Sequence, residues 1–238
     1  MKTKLIILIT FLSISAQAIA QDATTICKQI DQLNTDVLNN IISKKAAATQ
    51  FAPLILKLKA APTVAVKHTS WVFPLQGYGA SAIGGYKGNG YSAKGYSYFD
   101  GNKHSAHPAH DIFIKDKNQD GIDDNTHQPV NVLAVDDGIV IACSNVWSPE
   151  STLRGGKYIW VYHPQQNIIS YYAHNNAIFV KPGDVVKQGQ KIAEVGRTGL
   201  NAYKKRSPTH LHFSAFGLNN KFPEPFNPYQ QLISSKRS

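Results

Sequence analysis

Hydrophobic and polar residues alternate along this 238-residue chain in two rhythms. From Asp22 to about Ala60, apolar residues recur at Ile26, Ile30, Leu33, Val37 and Ile41 with polar residues between them. That is the period of a helix with one buried stripe, and it predicts an N-terminal helix whose continuation Pro53 and Pro62 limit. The Ala-Pro-Thr segment that follows reads as a linker. The helix reads either as a regulatory prosegment or as an element packed on the back of the domain. Further on the period shortens. Apolar and β-branched runs fall at residues 71–75, 111–114, 130–135, 139–143, 158–162, 168–173, 178–180, 191–195 and 210–215. Between them lies turn chemistry such as Asp136-Asp137-Gly138, His163-Pro164-Gln165-Gln166-Asn167 and Lys181-Pro182-Gly183-Asp184. Many short strands with no helical run between them predict a mainly β, antiparallel sandwich or barrel-like domain. The expected division is a leader at 1–20, a helical segment and linker at 21–62, and the β domain at 63–238.

The leader follows from Lys2 and Lys4 ahead of an apolar run at 5–12, with Ala18-Ile19-Ala20 before Gln21. This is a secretory signal cleaved near Ala20, and its apolar run is too short to span a bilayer with ease. The mature protein is therefore expected to be secreted, periplasmic or cell-wall associated, without a stable membrane anchor. A net charge of +10 suits an anionic partner such as a cell-wall polymer. The basic residues form no stripe, and the only tight cluster is Lys204-Lys205-Arg206, so no nucleic-acid partner is expected. Cys27 and Cys143 are the only cysteines. They make neither a disulfide framework nor a Cys-rich metal site, and the sequence leaves their pairing open, as it does the oligomeric state.

Chemistry therefore rests on nine histidines and the carboxylates. In an extended Thr209-His210-Leu211-His212-Phe213-Ser214, His210, His212 and Ser214 share one face while Leu211, Phe213 and Ala215 share the other. Taken alone, the pair also fits a solvated strand face. His107-Pro108-Ala109-His110-Asp111 brings a histidine and an aspartate four positions apart, although Asp111 could equally cap a turn. Together, His107, Asp111 and His212 would make a two-imidazole, one-carboxylate set that suits one Zn²⁺ and leaves a position for water. His210 could then reach the same water as a proton carrier. In Ser170-Tyr171-Tyr172-Ala173-His174, alternation puts His174 with Ser170 and Tyr172, opposite Ile169, Tyr171 and Ala173; alone, His174 reads as a strand-end surface residue. Eight of the seventeen glycines and five of the eleven tyrosines lie between Gly77 and Gly101. Glycine permits close backbone approach and tyrosine offers flat faces with a polar tip, so this segment reads as a groove-lining loop.

Several motifs occur in a fixed order: His107-Pro108-Ala109-His110-Asp111-Ile112, Pro129-Val130 through Asp137-Gly138-Ile139-Val140, and Tyr172-Ala173-His174. Val180-Lys181-Pro182-Gly183-Asp184-Val185-Val186-Lys187-Gln188-Gly189-Gln190, Gly196-Arg197-Thr198-Gly199 and Pro208-Thr209-His210-Leu211-His212-Phe213 follow. Over residues 105 to 216 the chain resembles the LytM/lysostaphin-type zinc metallopeptidases of peptidase family M23, which cleave peptide bonds in bacterial peptidoglycan. The resemblance implies an antiparallel β core with a groove, zinc on His107, Asp111 and His212, and catalytic roles for His174 and His210. His210 would take the proton from the water, and His174 would orient that water or steady the oxyanion. The implied partner is a peptidoglycan peptide, in a cross-link or a stem peptide.

The chain departs from the family pattern at several points. A glycine commonly follows one residue after the first ligand histidine, where this chain has Pro108-Ala109-His110, adding His110 as a supporting or an exposed residue; Ser214 replaces an acidic residue that often follows His-Leu-His-Phe. Tyr96 and Tyr98 are the nearest candidates for a groove tyrosine. Asp116-Lys117-Asn118-Gln119-Asp120-Gly121-Ile122-Asp123-Asp124 resembles the first half of a calcium-binding loop, with Asp116, Asn118, Asp120 and Asp124 as oxygen donors for Ca²⁺. His127 occupies the twelfth position in place of glutamate, and a solvated acidic loop is the other reading. Two further functions compete with the hydrolase. One is a non-catalytic module that binds peptidoglycan or activates another hydrolase, which would be expected to lack ligands. The other is a biotinyl or lipoyl carrier, suggested by residues 180–195, but Met1 is the only methionine and the likeness is shared turn grammar.

Overall fold

The computed structural model describes residues 22–61, 66–103, 105–219 and 222–238. The leader at 1–20, Gln21, and Pro62 and Thr63 of the linker lie outside the described residues.

The helical stripe folds as two helices rather than one, α1 over residues 22–38 and α2 over Lys44–Ala60. Ile26, Ile30, Leu33 and Val37 are buried as their period requires, but Ile41 is 71% exposed. The chain leaves α1 at Asn39, Asn40 takes φ 57°, and the Ser43 hydroxyl accepts from the Ala46 N–H at 3.3 Å to start α2. Pro53 does not end α2. Proline inside a helix costs about 3 kcal/mol, while each buried large apolar side chain contributes about 1.5–3 kcal/mol. Phe51, Ile55 and Leu58 are all buried around it, so burial wins.

Among the described residues ten strands follow, joined into two antiparallel sheets. The larger is seven-stranded and runs in the order β1 (His110–Phe113), β9 (His210–Gly217), β5 (Ile168–Ala173), β4 (Tyr158–His163), β3 (Gly138–Ser144), β7 (Val185–Val186). Its seventh strand, β10 (Glu224–Phe226), also pairs with β9. The smaller has three strands, β2 (Asn131–Leu133), β8 (Lys191–Val195) and β6 (Asn175–Ile178). A short α3 (Tyr229–Ile233) closes the order. The sandwich expected from the sequence is therefore present. Residues 71–75 differ from expectation: they form isolated bridges, Val72 with Lys236 and Leu75 with Val132, rather than a strand.

The large sheet is buried on both faces, which is why β4 reads Tyr-Ile-Trp-Val-Tyr-His without polar alternation. One face, with Val140, Ile159, Val161, Tyr172, Leu211 and Phe213, packs on the small sheet. The other, with Ile141, Tyr158, Trp160, Ile169 and Phe216, packs under α1 and α2. Cys27 lies in this helix-side cluster and Cys143 packs against the inter-sheet one; both are free thiols. The alternation expected for β9 holds: Leu211, Phe213 and Ala215 face the inter-sheet core, leaving His210, His212 and Ser214 on the helix side.

His163 at the end of β4 is fully buried, its Nδ1 3.0 Å from the Asp137 carbonyl and its Nε2 2.7 Å from Ser170 Oγ. Burial pushes its pKa from 6.5 down to about 4, against the pull of the Asp137 carbonyl. An unfolded chain takes the proton below about pH 6.5, the folded one only near pH 4. Stability from this group is full above pH 6.5 and is lost as pH falls through the window, by up to about 3 kcal/mol. Urea unfolding in chelator at pH 7 and pH 4.5 should show that loss, and His163→Gln should flatten the difference. An equal pH dependence in both proteins would refute the assignment.

Candidate metal centre

His107 stands just before β1, Asp111 lies on β1, and His212 sits directly across from Asp111 on β9. Strand register thus places an aspartate and a histidine 101 residues apart side by side. Asp111 Oδ1 lies 3.2 Å from His107 Nε2, 3.1 Å from His212 Nδ1 and 3.7 Å from His210 Nε2. One atom each from His107, Asp111 and His212 lies within 4.8 Å of the others, a group that can hold a metal ion.

Backbone carbonyls set the imidazoles. His107 Nδ1 donates to Gly90 O at 3.0 Å and presents Nε2 to the group. His210 Nδ1 donates to Pro208 O at 2.7 Å, and His174 Nδ1 donates to Thr198 O at 2.7 Å, so both present Nε2. Carbonyls of this kind fix the tautomer and the ring plane. Burial works against the Asp111 carboxylate, but hydrogen bonds from His107 and His212 hold it below the usual range, and it stays an anion. Burial lowers His212, with further pressure from His107 and His210 against the pull of Asp111. At His107 the Asp111 hydrogen bond dominates and raises it, so a metal ion would compete with a proton there.

His174 sits on the opposite face from the one strand alternation assigns. Tyr172 faces the inter-sheet core, whereas His174 lines the groove with ring centroids 4.9 Å from His210 and 5.4 Å from His212. The reason is local: β5 ends at Ala173 and His174 takes φ 67°, a left-handed conformation costing on the order of 1–3 kcal/mol. Its N–H donating to Gly155 O at 2.9 Å and its ring donating to Thr198 O hold it there. Only glycine fits beside it, since a Cβ at Gly199, φ 117°, would lie 2.8 Å from His174 Nδ1 and 2.4 Å from Arg154 O. Burial, reinforced by His210 and His212, keeps His174 well below the usual imidazole range and neutral.

The groove above these groups encloses about 260 Å³. Tyr96 and Tyr98 from the glycine- and tyrosine-rich loop line it, as do Trp160, Tyr171 and Ser214 from the sheet. Asn34, Val37 and Leu38 of α1 also line it, so the helix is part of the groove and not on the back of the domain. Nothing in the sequence near Asn34 signals this: its Nδ2–H donates to the Tyr158 hydroxyl, 124 residues on, at 2.8 Å. Arg154 lines the groove too, and its one sequence cue is the Gly155-Gly156 that follows.

His110 is neither exposed nor in the group. It is fully buried, with Nε2 2.8 Å from Asn227 Oδ1 and its ring beside Tyr91 and Tyr229. The acidic loop turns its donors onto its own amides. Asp116 accepts from the N–H groups of Asp120 and Gly121, Asn118 Oδ1 from Asp120, Asp120 Oδ1 from Ile122, and Asp124 from Lys117. Asp116 also accepts from the Thr209 hydroxyl at 2.6 Å, bracing the residue before His210. A second cluster, His68, Asp136 and Asp137, meets the same distance criterion for a metal. It differs in chemistry, because the Lys187 ammonium lies 3.0 Å from Asp137 Oδ2 and two backbone N–H groups, from Val66 and Gln188, also donate to that carboxylate. The Asp137 charge is thus already matched by an ammonium.

Residues 117–225 match the model of peptidase family M23. The match includes His174, His210 and His212 and begins after His107 and Asp111. The murein hydrolase activator NlpD of Escherichia coli is 37% identical over 94 residues, 39% of this chain and 21% of that protein. The L-Ala--D-Glu endopeptidase of Bacillus subtilis is 32% identical over 75 residues, 30% of this chain and 23% of that protein. The chain thus spans less than a third of the length of the curated relatives it matches. Among solved structures, the catalytic domain of lysostaphin from Staphylococcus simulans aligns at 25% identity and TM-score 0.41, covering 65% of this chain and 96% of that one.

Proposed function

Taking residues 117–225 as a peptidase family M23 segment, the family that the sequence resembles, we propose that the chain is an exported zinc endopeptidase hydrolysing peptide bonds of bacterial peptidoglycan, in cross-links or stem peptides. The observation that carries this reading is the convergence of His107, Asp111 and His212 beneath two further imidazoles, His210 and His174. Two imidazole nitrogens and one carboxylate oxygen fit zinc and leave a coordination position open. When bound, zinc lowers the pKa of a coordinated water and polarises the scissile carbonyl.

The protein's own groups do the rest. His210, with Nδ1–H committed to Pro208 O, presents Nε2 as the base that takes a proton from the attacking water and returns it to the leaving amine. His174 is neutral with Nδ1–H committed to Thr198 O, so its Nε2 accepts a hydrogen bond and orients the water. The aromatic walls exclude bulk solvent and grip a flexible peptide, and the net charge of +10 draws the protein to an anionic wall.

A second reading, a module that activates another murein hydrolase, is favoured by the 37% identity to the E. coli activator. Both readings share one polymer and separate on one assay. Zinc-loaded protein incubated with purified peptidoglycan should release new amino groups, a chelator should stop the release, and zinc should restore it. No release alone, with faster release by an added second hydrolase, would select the activator.

A further inference from the structure

The two imidazoles that stand over the metal group are set by different segments of chain. His174 Nδ1 donates to the carbonyl of Thr198, in the Gly196-Arg197-Thr198-Gly199 segment that follows β8. His210 Nδ1 donates to the carbonyl of Pro208, in the turn that leads into β9. The ring centroids lie 4.9 Å apart, so the spacing of the two carbonyls sets the spacing of the two rings.

One side chain spans both segments. Arg197, the residue before Thr198, donates from Nη1 to Ser207 O at 2.8 Å and to Thr209 Oγ1 at 3.1 Å, and from Nη2 to Lys204 O at 3.0 Å. Two of these acceptors flank Pro208. The Thr209 hydroxyl, itself buried, passes the tether on by donating to Asp116 Oδ2 at 2.6 Å. Asp116 is held in turn by the N–H groups of Asp120 and Gly121, and Gln119 of the same loop donates to Lys205 O at 2.9 Å. The acidic loop is thus an anchor for the turn before His210. On the other side, the Thr198 hydroxyl accepts from the Lys157 N–H and donates to Asn175 O, both at 2.9 Å. A planar guanidinium, with its donors in a fixed fork, holds several acceptors at set angles, which a flexible ammonium does not.

We propose that Arg197, anchored through Thr209 and Asp116, is a positioning residue that fixes His210 relative to His174. None of Arg197, Thr209 and Asp116 lines the groove, so their effect reaches a substrate only through the two imidazoles. That these rings face a scissile bond rests on the hydrolase reading above; the tether itself does not.

Thr209→Val keeps the shape of the side chain and removes its hydroxyl. Arg197 then retains Ser207 O and Lys204 O, and Asp116 Oδ2 retains the Gly121 N–H, so this variant should fold. Arg197→Met removes the fork, and Thr209→Ser and Arg197→Lys are the conservative counterparts. Two readouts are taken on zinc-loaded protein below the melting temperature of each variant: kcat and KM on a peptidoglycan peptide, and NMR of the imidazole nitrogens, which reports which one carries the proton. Thr209→Val and Arg197→Met should lower kcat by about tenfold to a hundredfold, with KM little changed and zinc retained. Both should let His210 populate the Nε2–H form beside the Nδ1–H form that the Pro208 carbonyl selects. Thr209→Ser should stay near wild type, and Arg197→Lys should recover part of the loss. A merely structural role would lower the melting temperature and leave kcat and tautomer unchanged; that result would overturn the proposal, as would equal losses in Thr209→Val and Thr209→Ser. Wild-type protein that cuts no peptide, while the tautomer still shifts in the two variants, would instead overturn the hydrolase reading and leave the tether standing.

Discussion

His210→Ala is expected to lower kcat on a peptidoglycan peptide by about a hundredfold to ten-thousandfold, the range for removing a positioned general base. KM should change much less, because the ring's Nε2 points at the metal group and its Nδ1 is used on Pro208 O. The fold should survive, since the backbone of β9 at this point pairs with Phe113 whatever side chain is present. His174→Ala should give a smaller loss, because a residue that orients water contributes geometry and not proton transfer. Equal losses for the two would mean that the labour is not divided as the tautomers indicate.

The second large effect is expected at Asp111. Asp111→Ala removes the one anion that faces these three imidazoles, leaving two nitrogen ligands and no negative charge to balance a dication. Zinc affinity should collapse and activity with it. A metal that binds only the folded protein stabilises it, by about 2.7 kcal/mol at a hundredfold excess over Kd. Wild-type protein should therefore melt at a lower temperature in chelator, while Asp111→Ala should melt at one temperature with or without it. A chelator response retained in the variant would place the metal elsewhere, for example at His68, Asp136 and Asp137.

The parts of this architecture legible in the sequence are those set by local period and spacing. Strands at 168–173 and 191–195 fall where the apolar runs put them, and the two faces of β9 divide as a period of two requires. The histidines and aspartate that converge were each nameable because short motifs carry them. What stayed hidden depends on contacts between distant segments. The α1–α2 break rests on Ser43 capping and on Phe51 and Ile55 reaching sheet residues that lie beyond residue 130. The face of His174 rests on a left-handed residue held by Gly155 and Thr198, which no alternation rule contains. Strand β7 is two residues long, and β10 runs through Pro225 beside β9, too short and too proline-rich to show a period. The walls of the groove, with Arg154 and Asn34, come from segments more than a hundred residues apart and belong to no motif.

In the proposed hydrolase two histidines on one strand face do different work, His212 holding metal and His210 moving a proton. Zinc per chain, measured by elemental analysis after dialysis, tests it directly on three proteins: wild type, His210→Ala and His212→Ala. About one zinc per chain is expected in wild type and in His210→Ala, and a large loss in His212→Ala. Loss of zinc from His210→Ala, or its full retention in His212→Ala, would contradict the assignment.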